Sequence, residues 1–402
     1  MPVLTPRYKF DRLEFAGSLG DLGTLLPIAI AMILINGLDA TGLMLSVGLF
    51  YILAGMYYGV TVPVQPMKVI GAYAIATGIS ASQIVSSGLL MGIFLLIIGV
   101  TGAIDLIGKY TPKAVVRGVQ LSTGVLLMAE GVRFITGTSR FQVLRQAAEP
   151  YLNVQALGPV SIGIPIGILA GVATLLLLNN KRFPAGLVVV IGGLLLGLIL
   201  GNHQGFDLLR LGFNLPQILP FGWPGHADFT LALLVLVLPQ APMTLGNAVI
   251  AYADLSRDYF AEDSSRVTNR ATCVTMALAN FVSFLFGGMP ICHGAGGLAA
   301  HYRFGARTAG SNLMIGFIFL FLAVLLGNHA VSVVSLLPMA ILGVLLLFAG
   351  SQLALTILDM KERKNLFVSL LMLGITLASN LAVGFIVGFI AAYALKSERL
   401  SV

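Results

Sequence analysis

An all-α fold that crosses a lipid bilayer many times is what this sequence predicts, and three observations predict it. Hydrophobic residues make up 57% of the 402 positions and charged residues 10%, where a soluble domain carries roughly 25% charge. Mean hydropathy is +0.96, which leaves more apolar surface than a soluble chain of this length can bury. Apolar windows of the ~20 residues that a spanning helix needs recur along the whole chain, and residues 187–200 hold no charge at all.

Taken in order, the windows give fourteen segments, beginning near residues 15, 39, 60, 82, 112, 159, 184, 229, 266, 289, 310, 331, 365 and 381. The third (60–78) and the tenth (289–302) are short and carry proline, glycine and polar residues in mid-membrane. The others read as ordinary apolar helices, rich in glycine where helices approach closely. With the N-terminus in the cytoplasm, eighteen basic residues fall inside, among them Lys109, Lys181, Arg182 and Arg399. Only Arg133, Arg140, Arg145 and Arg210 fall outside, and Lys68 stays in the membrane. Omitting either odd segment flips the loops behind it and mixes the signs, so the positive-inside rule supports both as crossings. Both termini are then cytoplasmic, and the membrane is the plasma membrane, the inner one in a prokaryote. The net charge of +7 follows from this topology and gives no reason to expect a nucleic-acid partner. Cys273 and Cys292 make no disulfide framework, and the polar start from Met1 to Arg12 leads into no cleavage site.

Fourteen divides into seven and seven around the longer loop 202–228. Because seven is odd, the second half runs through the membrane inverted. Thr111-Pro-Lys-Ala-Val-Val at the fifth segment is echoed by Leu337-Pro-Met-Ala-Ile-Leu at the twelfth. Inverted repeats with interrupted helices in matching positions point to a secondary transporter's binding site.

In the third segment, Val60-Thr-Val-Pro-Val-Gln-Pro-Met-Lys68, two prolines three apart forbid a continuous helix. Val62 and Gln65 precede prolines and are pushed towards extended backbone. A helix then starts near Pro66, leaving the N–H groups of Met67 and its neighbours and a positive dipole end in mid-membrane. Lys68 adds a charge that costs ~2.5–3.5 kcal/mol at helix centre even on the mildest scale. In the tenth segment Pro290 breaks the chain, and His293-Gly294-Ala295-Gly296-Gly297 offers backbone N–H groups to an anion. His293 is as readily structural as functional. The first segment carries Ser18 and Asp21. The eighth carries Gln240, Thr244 and Asn247 on one helix face. For Ser18 and Asn247, hydrogen bonding between helices is the plainer role; Asp21 reads either as partner of Lys68 or as proton carrier.

Other chemistries lack their motifs. The glycine run has no preceding strand and no following Lys-Ser/Thr, so it is not a nucleotide loop. Cys292-His293 is not a metal spacing, and no nucleophile elbow appears. No enzyme, metal or cofactor is expected.

Pro63-Val-Gln-Pro-Met-Lys68, Met289-Pro-Ile-Cys-His-Gly-Ala-Gly-Gly297 and His301-Tyr-Arg-Phe-Gly-Ala-Arg307 resemble the molybdate transporter branch of the sulfate-permease-like superfamily. Residues 14–23 and Leu238-Pro-Gln240 resemble its first and eighth segments. The resemblance covers nearly the whole chain. It implies a core domain (residues 1–104 and 203–329), a gate domain (105–202 and 330–402) and a homodimer. It also implies a substrate site between the half-helices of segments 3 and 10. The expected activity is proton-coupled import of molybdate by alternating access. The anion would be held by Gln65, Pro66, Met67, Lys68, Gln240, His293, Gly294, Ala295, Gly296 and Ser18, with Asp21 or His293 carrying the proton. Sulfate is the first alternative substrate. A nucleobase permease or a membrane protein that transports nothing is more distant.

Overall fold

The computed structural model describes residues 7–104, 112–178, 180, 185–201 and 212–396. Lys109, Lys181, Arg182, Arg210, Arg399, Thr111, the expected start of the seventh segment at 184 and the domain boundaries at 105 and 202–203 lie outside these. In chain order the first half comprises α1 (Arg12–Ser18), α2 (Leu22–Leu34), α3 (Ala40–Tyr58), β1 (Gln65–Pro66), α4 (Lys68–Thr77) and α5 (Ala81–Thr101). It continues with α6 (Lys113–Thr136), α7 (Arg140–Arg145), β2 (Ala156–Leu157), β3 (Val160–Ser161), α8 (Gly163–Leu177) and α9 (Ala185–Leu200). The second half opens with α10 (His226–Ser264). It goes on through α11 (Asn269–Leu285), β4 (Ile291–Cys292), α12 (Ala295–Phe304), α13 (Ala309–Leu326) and α14 (Ala330–Val334). It ends with α15 (Met339–Ala354), α16 (Arg363–Ala378) and α17 (Leu381–Ala394).

The chain is all-α and polytopic. Among the described residues six helices are long and apolar enough to cross a membrane, or seven if the bent pair α1 and α2 is one span. Four shorter apolar helices, α4, α8, α9 and α17, accompany them.

Two segments expected to be ordinary are not. The first bends by 42° between α1 and α2, where Gly20 N–H turns back to the Gly17 carbonyl and Asp21 starts the second piece. The eighth, α10, carries two π-helical stretches, Ala232–Val237 and Thr244–Ile250. They flank Pro239 and Pro242, whose missing N–H groups break the regular ladder. Segment starts also differ. α8 begins at Gly163 and not near 159, because β2 and β3 first form a hairpin around Gly158 at φ +61°. The twelfth segment begins with the short α14 and restarts at Met339 behind Pro338.

α6 against α15 is the most extensive helix pair, followed by α3 with α13 and α5 with α11. The α6–α15 crossing is glycine-dependent. A Cβ on Gly131 would lie 2.5 Å from the Gly343 carbonyl oxygen, and one on Gly343 equally close to the Gly131 oxygen. Gly124 and Gly350 repeat the arrangement at 2.6 Å.

Candidate functional site: a cavity at two broken helices

The two prolines of segment 3 do what their chemistry requires and keep residues 60–67 extended up to β1. β1 pairs antiparallel with β4 in the register Gln65 to Cys292 and Pro66 to Ile291, and Met67 N–H donates to the Pro290 carbonyl at 2.9 Å. That last bond holds Met67 extended (φ −67°, ψ 98°), so α4 begins at Lys68, two residues later than the position expected from Pro66.

A two-stranded sheet inside a membrane protein leaves two outer edges that must find partners. One asparagine, Asn280, braces the β4 edge, and another, Asn312, braces the extended stretch three residues before β1. Asn312 Oδ1 accepts from Val62 N–H at 2.8 Å and its Nδ2 donates to the Val62 carbonyl at 2.7 Å. Asn280 does the same for Ile291, at 3.1 and 2.8 Å. Each side-chain amide acts as a one-residue strand.

α4 and α12 both start at this sheet. Gln240 Oε1 accepts from Val69 and Ile70 N–H at 3.0 and 3.2 Å, and its Nε2 donates to Thr244 Oγ1 at 2.8 Å. Two of the α4 N–H groups expected to hold an anion are thus occupied. Gln240 caps this helix, one of its two Nε2 hydrogens goes to Thr244, and the residue does not line the cavity described below. α12 has Gly294 at its N-cap and no side-chain cap, so its first-turn N–H groups stay uncovered.

Gln65 Nε2 donates to Asp21 Oδ1. The other oxygens of the pair, Gln65 Oε1 and Asp21 Oδ2, are buried with no hydrogen-bond partner among the described residues. The glycines of α12 make room for this pair. A Cβ on Gly294 would sit 2.2 Å from Gln65 Oε1, and one on Gly297 would sit 2.8 Å from both Asp21 Oδ2 and Gln65 Nε2. Gly296, by contrast, has nothing within 4 Å of its missing Cβ.

Gly296 opens onto a cavity of about 400 Å³. Asp21, Gln65, Lys68 and Asn247 line one side. Gln120 of α6, Thr174 of α8, Phe348 and Gln352 of α15, and Thr356 line the other. Among the described residues no ion pair joins Lys68 to Asp21.

Several expected residues lie elsewhere. Ser18 is fully buried, donates to the Phe15 carbonyl at 2.7 Å and does not line the cavity. Pro66 is strand backbone and Met67 is buried beside it. His293 is also fully buried. Its Nδ1 lies 3.0 Å from the Pro63 carbonyl, its Nε2 lies 3.3 Å from Thr275 Oγ1, and its ring stacks on Tyr252. It contributes nothing to the cavity lining. Residues that sequence reasoning passed over include Asn280 and Asn312, whose signal was an amide within an apolar helix. Gln120 and Gln352 were likewise passed over, and Asn247, for which bonding between helices is the plainer reading, lines the cavity.

Comparison with known proteins adds to this geometry. Residues 13–127 and 232–353 match a family described as molybdate transporter of MFS superfamily. The chain is 32% identical to Molybdate transporter 2 of Arabidopsis thaliana, over 96% of this chain and 88% of that one. It is 31% identical to Molybdate transporter 1 of the same plant, over 93% and 86%. Among solved structures, SLC26A9 superposes with a TM-score of 0.68 at 14% identity, over 98% of this chain and 67% of that one. The transmembrane domain of the cyanobacterial bicarbonate transporter BicA gives 0.62 at 17%, over 95% and 97%. At such identities these two carry the fold alone.

Proposed function

This chain belongs to the molybdate transporter family and is an integral multi-pass membrane protein that transports anions; from that premise we propose that it imports molybdate by proton-coupled alternating access through the cavity just described. One observation carries the reading. Lys68, Gln65, Asn247 and the uncovered N-terminus of α12 meet in a single cavity where two broken helices start, and such a constellation recognises a tetrahedral oxyanion. Lys68 offsets part of its charge, Gln65 and Asn247 supply amides, and the α12 N–H groups around Ala295 and Gly296 supply donors. Gln240 acts through α4, which it caps.

Bringing a dianion into a negative-inside cell costs ~2.3 kcal/mol per charge per 100 mV, so a driving ion is needed. His293 is packed against aromatic rings away from the cavity, which leaves Asp21 as the proton carrier. A proton on Asp21 removes a negative charge beside the bound anion and gives Oδ2 a hydrogen to donate. Proton and oxyanion then favour each other's binding.

The cavity lies between the proposed core domain (1–104 and 203–329) and gate domain (105–202 and 330–402), and their relative movement is the alternating step. Fourteen crossings in a seven-plus-seven inverted repeat are supported by the helix pairs. Segment 2 packs on 11 and segment 4 on 9, pairs that a two-fold relation between the halves exchanges. Segments 5 and 12, and 3 and 10, pair with their own counterparts. Under the positive-inside orientation, Thr356 and Ala185 sit at cytoplasmic helix ends and Gln120 about two turns in from another, so the cavity opens inward.

Uptake of labelled molybdate into proteoliposomes, with an acid-outside gradient and competing sulfate, tests the reading. We expect saturable uptake in wild type, lost in Lys68→Ala, and sulfate competing only at higher concentration. Sulfate binding tighter than molybdate would reassign the substrate, and wild type inert under every ion gradient would end the transporter proposal.

A further inference from the structure

A second cavity, of about 600 Å³, lies at the ends of α3, α10 and α12 and beside the start of α13. Arg7, Lys9, Arg266 and Arg307 line it together with Tyr259 and Tyr302, and Asp263 is the one carboxylate in the lining. Among the described residues no ion pair engages any of the four cations.

The arginines are held in place by backbone. Arg7 donates to the Met56 carbonyl, and Arg266 donates to that of Tyr57 at 3.1 Å. Arg307 donates to the carbonyls of Tyr302 and Ala306 at 2.6 and 2.8 Å. The Arg307 guanidinium lies 3.4 Å over the Tyr302 ring, which stacks on Tyr259 at 3.9 Å. Each guanidinium carries five N–H donors, so these contacts fix the fork and leave donors over. A plain topological role places cations in loops but does not require four of them around one concavity. Fixed guanidinium forks match phosphoryl oxygens bidentately.

We propose that this basic cavity binds a phosphate monoester, either an anionic lipid headgroup or a free phosphorylated molecule, independently of the transported anion. Occupancy has a direct route to the substrate site. Gly59 and Val60 line the same cavity, the Arg307 carbonyl accepts from Thr61 N–H at 3.3 Å, and Val60 bridges to Thr308. A ligand there grips the root of the extended segment that leads to Gln65 and Lys68, and draws the N-terminal arm carrying Arg7 and Lys9 onto it.

Binding to the purified full chain tests this, with short-chain phosphatidic acid, glycerol 3-phosphate and inorganic phosphate as separate probes. Each cation near an anionic surface contributes about fivefold in affinity, so Lys9→Gln weakens binding about fivefold and Lys9→Gln/Arg266→Gln on the order of 25-fold. Binding also weakens with salt. The Lys9 side chain makes no hydrogen bond among the described residues, so Lys9→Gln reports on the ligand even if loss of the Arg266 contact unsettles the fold. Phosphatidic acid binding alone identifies a lipid site, and glycerol 3-phosphate binding identifies a site for soluble monoesters. Three results overturn the proposal: no binding of any probe, equal affinity in wild type and both variants, or binding lost in Lys68→Gln while Lys9→Gln leaves it intact.

Discussion

Asp21 and Lys68 bring opposite charges to one cavity without joining as an ion pair, so each remains available to the substrate. A carboxylate beside an incoming oxyanion repels it, whereas a carboxylic acid donates to it. Asp21→Asn keeps the shape and removes the choice. We expect wild-type molybdate uptake to rise as external pH falls and the Asp21→Asn profile to be flat. A wild-type pH profile in that variant would remove Asp21 from the coupling. His293 has a different part. The Pro63 carbonyl only accepts, so Nδ1 carries the ring proton and Nε2 is left to accept from Thr275. The neutral ring ties segment 3 to α11. His293→Ala strands the Pro63 carbonyl, while Thr275 keeps Tyr58 and Thr272; it costs about 1–3 kcal/mol in stability, read as a lowered urea midpoint, while the pH profile of uptake persists. If His293→Ala flattens that profile instead, the proton route runs through His293.

At the scale of elements, β4 is held from outside by Asn280 and the extended segment leading into β1 by Asn312. Removing either amide leaves a buried N–H and a buried carbonyl unpaired, each costing about 1–3 kcal/mol. Asn312→Ala and Asn280→Ala therefore lower stability by several kcal/mol and blunt molybdate binding, since both half-helices start from this sheet. Wild-type thermal stability in both variants would show that the strands need no such brace. Much of this was legible beforehand, because Pro63, Pro66 and Pro290 dictate extended backbone from local chemistry alone. The braces were not, because Asn312 and Val62 are 250 positions apart and a helical asparagine looks the same whatever it binds. The capping of α4 by Gln240 was hidden for a related reason. Sequence identifies a buried amide, but only tertiary packing says which of its ends meets which helix.

Outside the membrane helices, Glu149 joins two more elements. It is fully buried, and its carboxylate oxygens accept from Met339 and Ala340 N–H at 2.7 and 2.8 Å, capping α15. Burial pushes its pKa from the ordinary 4.5 up to about 7, against those two hydrogen bonds. Between these values the folded chain holds a proton that the unfolded chain has lost. Stability from this group is therefore full below pH 4.5 and falls as pH rises towards 7. A tenfold change in proton affinity is worth about 1.4 kcal/mol, which makes the loss on the order of 3 kcal/mol. Thermal unfolding across that window should show the slope in wild type and not in Glu149→Gln; equal slopes would assign it to other groups.

For the whole molecule, the question is whether the two sides of the cavity move. One of the places where they meet is the crossing of α2 and α9. A Cβ on Gly186 would lie 2.5 Å from the Gly23 Cα, closer than real contacts allow, whereas one on Gly23 finds Gly186 at an ordinary 3.8 Å. Gly186→Val therefore cannot adopt this arrangement, while Gly23→Ala can. If core and gate rock against one another, Gly186→Val is driven to the opposite arrangement, with the cavity open to the other face. Lys68→Cys reports this through an impermeant thiol reagent, and the native Cys273 and Cys292 are buried, which keeps background labelling low. In the parent, and with Gly23→Ala, Lys68→Cys should react from the face we assign as cytoplasmic. With Gly186→Val it should react from the outer face, and a folded Gly186→Val protein that still labels from the inner face would show that the two sides form one rigid body.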